Sequence, residues 1–125
     1  MKTRLGAQRG AVTLRPYHPA WREDFEAERA RLATRLSDRI TDIQHVGSTA
    51  VPGVPAKPII DIAIALRALD DLAPCRRLLE ELGYSYLGEP NERGVHFLAK
   101  GPDSGRTHYL HLMPRDHPKW SQLLG

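Results

Sequence analysis

The run Ile59-Ile60-Asp61-Ile62-Ala63-Ile64-Ala65-Leu66 constrains this chain more than any other feature. It is opened by Lys57-Pro58 and rich in isoleucine, which predicts a β-strand. Apolar side chains point to both of its faces, so both must be covered, and the strand belongs at the centre of a sheet. One carboxylate interrupts it. Burying a lone carboxylate is expensive, so Asp61 is expected to face a cation, a hydrogen-bond cluster or water at the exposed end of the strand.

The other elements supply the cover. Trp21, Phe25, Leu32 and Leu36 recur at helical spacing after Pro19, which suits a first helical turn. Between them Arg22, Glu23, Asp24, Glu26, Glu28, Arg29 and Arg31 read as a solvated face of mixed charge. Strands are predicted at Ala11 to Leu14, Ile40 to Val46, Tyr84 to Leu87, Val95 to Ala99 and Arg106 to Met113, with the second helix after Asp70-Asp71 as its cap. Leu72, Cys75 or Arg76, Leu79 and Leu82 form that helix's inner stripe, and Gly83 ends it in a left-handed conformation. A last helix starts at Pro118-Lys119-Trp120, and Trp21, Phe25 and Trp120 are core candidates. The order β-α-β-loop-β-α-β-β-β gives an α/β fold, a mixed sheet with packed helices.

A length of 125 residues suits one domain, here residues 11–125 behind a disordered lead at 1–10. Net charge is only +3, and 6% of the residues are aromatic, with no basic run interleaved with aromatics, which argues against nucleic acid as a partner. The single Cys75 excludes an internal disulfide, and no cysteine–histidine zinc spacing occurs. No apolar stretch follows the basic start, and none approaches membrane-spanning length, so a cytoplasmic protein is expected.

Chemistry concentrates in His45-Val46-Gly47-Ser48-Thr49-Ala50-Val51-Pro52-Gly53 and Ala56-Lys57-Pro58-Ile59-Ile60-Asp61-Ile62. A strand ending in a Gly-Ser turn lets an anion approach the backbone, with two hydroxyls beside free N–H groups. Lys57 stands at the mouth of the Asp61 strand. On spacing alone two readings stay open: a phosphate cradle beside a metal-binding carboxylate, or a tight turn with an aspartate satisfied by backbone N–H groups.

The run from His45 to Ile62 resembles the GrpB family pattern E-H-[IV]-G-S-T-[AS]-V-P-G-[LV]-x-A-K-P-I-I-D-I. Arg15-Pro16-Tyr17-His18-Pro19-Ala20-Trp21 is similar to its P-Y-D-P-x-W opening. Gly88-Glu89, Arg93 and Phe97 resemble its hairpin, and Arg106-Thr107-His108-Tyr109-Leu110-His111 its R-T-H-H-L-H strand. The resemblance implies a two-layer nucleotidyltransferase-like fold, with Gly47 and Ser48 on nucleotide phosphates. Thr49 beside the turn, Lys57 at the strand mouth and Arg93, whose guanidinium can grip phosphate with two bonds, are further phosphate-binding candidates. It implies Asp61 as catalytic carboxylate and, with His111, as holder of a divalent metal, Mg²⁺ or Mn²⁺; His45 and Glu89 are further candidates. Glu89 and Arg93 either pair across their turn or face the cleft.

This sequence departs from the pattern where it matters chemically. A transferase of this kind needs a second carboxylate two residues after the first, on the same strand face, and that position is Ala63. Gln44 and Tyr109 replace a glutamate and a histidine. The family pattern continues into further C-terminal helices, which this sequence, ending at Gly125, is expected to lack as a truncated member. Two functions follow from the resemblance: a metal-assisted nucleotidyl or phosphoryl transferase, or a non-catalytic module that binds a nucleotide or coenzyme-like anion. The second would act with a partner enzyme, as in fusions to dephospho-coenzyme A kinase.

Overall fold

In the computed structural model the described residues are 5–7 and 14–124. Their strands form one five-stranded sheet: β1 (Ile40–Val46), β2 (Ile60–Leu66), β3 (Tyr84–Gly88), β4 (His96–Lys100) and β5 (His108–Pro114), in spatial order β1-β2-β5-β4-β3. Only β2 and β5 run parallel; the other neighbours are antiparallel. The Ile60–Leu66 strand therefore lies inside the sheet, flanked on both sides. Helices α1 (Ala20–Leu36), α2 (Leu72–Glu81) and α3 (Pro118–Leu124) complete the α/β fold. None of the described helices is long and apolar enough to cross a membrane.

Period-two alternation divides the sheet between two cores. Ile60, Ile62, Ile64 and Leu66 join Leu98, Leu110 and Leu112 beneath α1 and α2. Ala63 and Ala65 point the other way and pack with Val46, Val95, Met113 and Trp120 of α3. The tryptophans of α1 and α3 are buried, in keeping with their reading as core residues. Cys75 completes the inner stripe of α2, and burial pushes its thiol up to about 11, which keeps it protonated. Arg76 instead lies outside that stripe, its guanidinium 3.8 Å from the centre of the Tyr86 ring.

Several sequence expectations are corrected. Of the lead at 1–10 only residues 5–7 are described, the rest lying outside the described residues; there Ala7 forms an antiparallel bridge with Arg106, and the Gly6 amide donates to the Pro58 carbonyl at 2.8 Å. The strand expected at Ala11 to Leu14 lies outside the described residues except for Leu14; Arg15, just after it, bridges Ala56. Asp71 does not cap α2 with its side chain; its carboxylate accepts from Arg67 Nε and Nη2 at 3.2 and 3.0 Å.

The largest correction concerns Glu28. It falls between Phe25 and Leu32 on the inner stripe of α1, and its side chain is fully buried. Its Oε2 accepts from Tyr84 Oη and Lys100 Nζ, each at 2.5 Å, while Oε1 accepts from Arg31 Nε and Nη2 at 3.0 and 2.7 Å. Tyr84, Lys100 and His108 form one cross-strand row beneath it. Burial alone would raise the Glu28 pKa, but the bonds from Lys100, Tyr84 and Arg31 overcome it and hold the carboxyl at about 2.

Candidate functional site

The site begins where β1 ends. Val46 pairs with Asp61, and Gly47 then turns the chain across the Asp61 side chain. Gly47 has φ 75° and ψ −174°, a region essentially restricted to glycine. A Cβ on it would lie 2.8 Å from Asp61 Oδ2. Glycine therefore serves both backbone shape and the close approach of the carboxylate. A 3-10 turn at Ser48–Ala50 follows, closed by the Ala50 amide donating to the Gly47 carbonyl at 3.1 Å. The Ser48 and Thr49 amides precede that first internal bond, so the turn itself leaves them without partners.

Ser48, Lys57, Asp61 and Tyr109 line a cleft of about 340 Å³, with Leu14 and Ile59 among its apolar walls. Ser48 and Lys57 are exposed, and among the described residues no ion pair engages Lys57. Tyr109 pairs with Asp61 across β2 and β5 and shares its face. Two residues before His111, it could have been placed there from strand period alone. Asp61 retains 30% side-chain exposure against 13% for His111, and His111 Nε2 lies 3.2 Å from Asp61 Oδ1. Phe97 backs the imidazole edge-on, with ring centres 4.4 Å apart.

Other candidates lie elsewhere. His45 pairs with Ile62 and so belongs to the α1 face, opposite Asp61. Its ring stacks on Phe25 at 4.7 Å. Its Nε2 lies 2.9 Å from Thr49 Oγ1, which in turn donates to the Ile59 carbonyl at 3.4 Å, so the imidazole Nε2–H is the donor of the pair. Burial lowers the His45 pKa, against the pull of the Asp61 and Glu26 carboxylates. The buried Thr49 hydroxyl is committed to these contacts, leaving Ser48 and Tyr109 to bring hydroxyls to the cleft. Glu89 and Arg93 stand at the other end of the sheet, before the residue of β4 that pairs with Leu112. They do not pair with each other: Glu89 Oε1 accepts from the Gly94 amide at 2.6 Å, and the Arg93 carbonyl accepts from His117 Nε2 at 2.9 Å.

Asp61 and His111 supply one hard and one borderline donor. Among the described residues no group of three histidine, cysteine, aspartate or glutamate side chains converges to hold a metal ion. Ala63, where the second carboxylate would stand, is fully buried in the cluster that contains Trp120. Asp61 offers Mg²⁺ a single carboxylate, so waters and ligand phosphates would have to supply most of its oxygen shell.

Gly47→Ala tests the turn. We expect a loss of about 1–3 kcal/mol in thermal or urea unfolding, together with a shifted His111 imidazole resonance as Asp61 is displaced. Gly53→Ala also places alanine at positive φ, 83°, but meets no atom within 4 Å, so it should leave His111 unchanged. Equal His111 shifts in both variants would refute a specific Gly47–Asp61 contact.

Comparisons with known proteins agree with this architecture. The family model described as GrpB protein matches residues 11–125. The Glutamate-rich protein GrpB of Alkalihalophilus pseudofirmus is 34% identical over 122 residues, covering 94% of this chain and 70% of that protein. UPF0157 protein PA4798 of Pseudomonas aeruginosa is 42% identical over 106 residues, covering 82% of this chain and 44% of that protein. Part of a dephospho-CoA kinase of Mycolicibacterium paratuberculosis is 39% identical over 77 residues, 59% of this chain but 18% of the kinase. The crystal structure of conserved protein GrpB from Enterococcus faecalis superposes with a TM-score of 0.79 at 36% identity, covering 86% of this chain and 64% of that one. With the motif from His45 to Ile62 joining the end of β1 to the start of β2 through the Gly47 turn, and a family match over nearly its whole length, the chain belongs to the GrpB family.

Proposed function

We propose that this domain binds a phosphorylated small molecule, a nucleotide or a coenzyme-like anion, and acts alongside a partner enzyme rather than as a transferase itself. The observation that carries the reading is the cleft that Ser48, Lys57 and Asp61 line together, just after the Gly47 turn. Lys57 and the turn amides suit phosphate oxygens. Asp61 repels a phosphate directly, so its role is to accept from a hydroxyl or amino group of the same ligand, oriented by His111. The partial similarity to a dephospho-CoA kinase supports a ligand of this class, since that enzyme's named substrate is a phosphorylated coenzyme precursor.

A metal-assisted transferase is the second reading, favoured by the placement of Asp61 beside His111 at 3.2 Å. In that reading the pair would hold Mn²⁺ with ligand phosphate oxygens completing the shell, since imidazole suits Mn²⁺ better than Mg²⁺.

Thermal melting and calorimetry with nucleotides, coenzyme A and its precursors, with and without Mn²⁺, separate the two. We expect metal-independent binding, with Lys57→Ala weakening it about tenfold, equivalent to ~1.4 kcal/mol for a charged hydrogen bond. A ligand at one hundred times its Kd should add ~2.7 kcal/mol to stability. Binding that requires Mn²⁺ and vanishes in Asp61→Asn would establish the second reading. No binding from the whole panel by a cooperatively melting chain would refute both.

A further inference from the structure

A second cleft, of about 250 Å³, opens on the other side of the Ser48–Ala50 turn and shares only Thr49 with the first. It belongs to the α1 face, where neither Asp61 nor His111 points. We infer that this cleft is a separate binding site for a planar nitrogen heteroaromatic ring of the nucleobase class.

Its walls are aromatic and already fixed. The His45 and Phe25 rings are stacked with only 11° between their planes, and Tyr17 is held edge-on against Trp21 with ring centres 5.6 Å apart. Pro52 also lines the cleft. Aromatic walls held by the core offer a flat ligand contact area without further ordering, which favours stacking. The cleft falls below the ~300–1,000 Å³ of pockets for drug-sized ligands, so it suits a single ring system.

Charge selects the kind of ring. Arg22 and Glu26, one turn apart on α1, also line the cleft; both are exposed, and among the described residues no ion pair engages either. An anionic ligand would meet Glu26 and a cationic one Arg22, each with a like charge. A plain hydrocarbon ring would use neither. A neutral heteroaromatic ring carries a donor for Glu26 and an acceptor for Arg22 along one edge, and its faces suit Tyr17 and His45.

Aromatic NMR spectra of the full chain test this with adenosine and cytidine, which carry no phosphate, and separately with inorganic phosphate. The site requires saturable nucleoside-induced shifts at the Tyr17 and His45 rings. It also requires Arg22→Ala and Glu26→Gln, at exposed positions, to weaken binding about tenfold each while melting stays unchanged. Phosphate shifts at Ser48 and Lys57 without nucleoside shifts at Tyr17 and His45 would overturn the ring site and leave the anion reading intact. Nucleoside shifts without any phosphate response would uphold the ring site and count against the anion reading. Toluene producing the same shifts as adenosine, unaffected by either substitution, would overturn recognition of a heteroatom-bearing edge.

Discussion

Glu28→Ala lowers the melting temperature by about 10–20 °C, the equivalent of ~3–5 kcal/mol for removing one partner from a buried ionic network. The substitution strips the acceptor from the Tyr84 hydroxyl and from Lys100, and leaves a cavity between α1 and the β3–β4–β5 row. Glu28→Gln keeps one acceptor and should cost less, while Glu23→Ala, on the exposed face, should change little. The same network sets the acid response. Burial lowers the His108 pKa from 6.5 to about 4, with Lys100 and Arg31 adding to the depression while Glu28 and Asp24 oppose it. Neutral His108 thus contributes stability that is complete above pH 6.5 and lost as pH falls toward about 4. The Glu28 carboxylate contributes stability present above pH 4.5 and lost as pH falls toward about 2. Melting temperature should therefore fall in two overlapping steps on acidification, and Glu28→Gln should remove the lower one. A pH series of melting curves checks both, and an unchanged lower limb in Glu28→Gln would refute the assignment.

The elements themselves were legible because period and punctuation agree along most of the chain. β2 announces itself by isoleucines on both faces, and α1 by the spacing from Trp21 to Leu36. Glu28 was not legible, although it stands three residues after Phe25 and four before Leu32. Residue type argued for solvent, and position on the stripe argued for the core; the buried partners that decide between them come from β3 and β4, distant in sequence. Strand period places His45 and Asp61 on opposite faces only once the antiparallel register of β1 with β2 is known. Glu89 and Arg93 illustrate a different limit. Their hairpin reads clearly, but the direction in which β4 runs beside β5 decides which end of the sheet they occupy, and no local spacing encodes that. Proximity in sequence accounts for much of the cleft: Ser48, Lys57 and Asp61 lie within one short stretch, and the Gly47 turn and the β2 strand bring them together. Tyr109 enters it from the far end of the chain through the parallel pairing of β5 with β2.

Ala63→Asp is expected to destabilise the fold by several kcal/mol, lowering the melting temperature by about 10 °C or more. Position 63 is the point at which a two-carboxylate metal site would need its second ligand, so the substitution asks directly whether this face is built for one. Ala63 is fully buried and packs in the same cluster as Val46, Met113 and Trp120. An aspartate there either carries an unpaired charge into an apolar contact or takes up a proton to avoid it, and its extra volume presses on the tryptophan of α3. It also points to the same face as Asp61, so two carboxylates compete beside one imidazole. Ala63→Asn, of similar size but uncharged, separates overpacking from the electrostatic part. If the face is an apolar seat for α3, Mn²⁺ leaves the Ala63→Asp melting temperature where it was. Recovery of that lost stability on adding Mn²⁺, absent in Ala63→Asn, would show that the strand accommodates a metal when given the carboxylate, and would move the balance of function back toward catalysis.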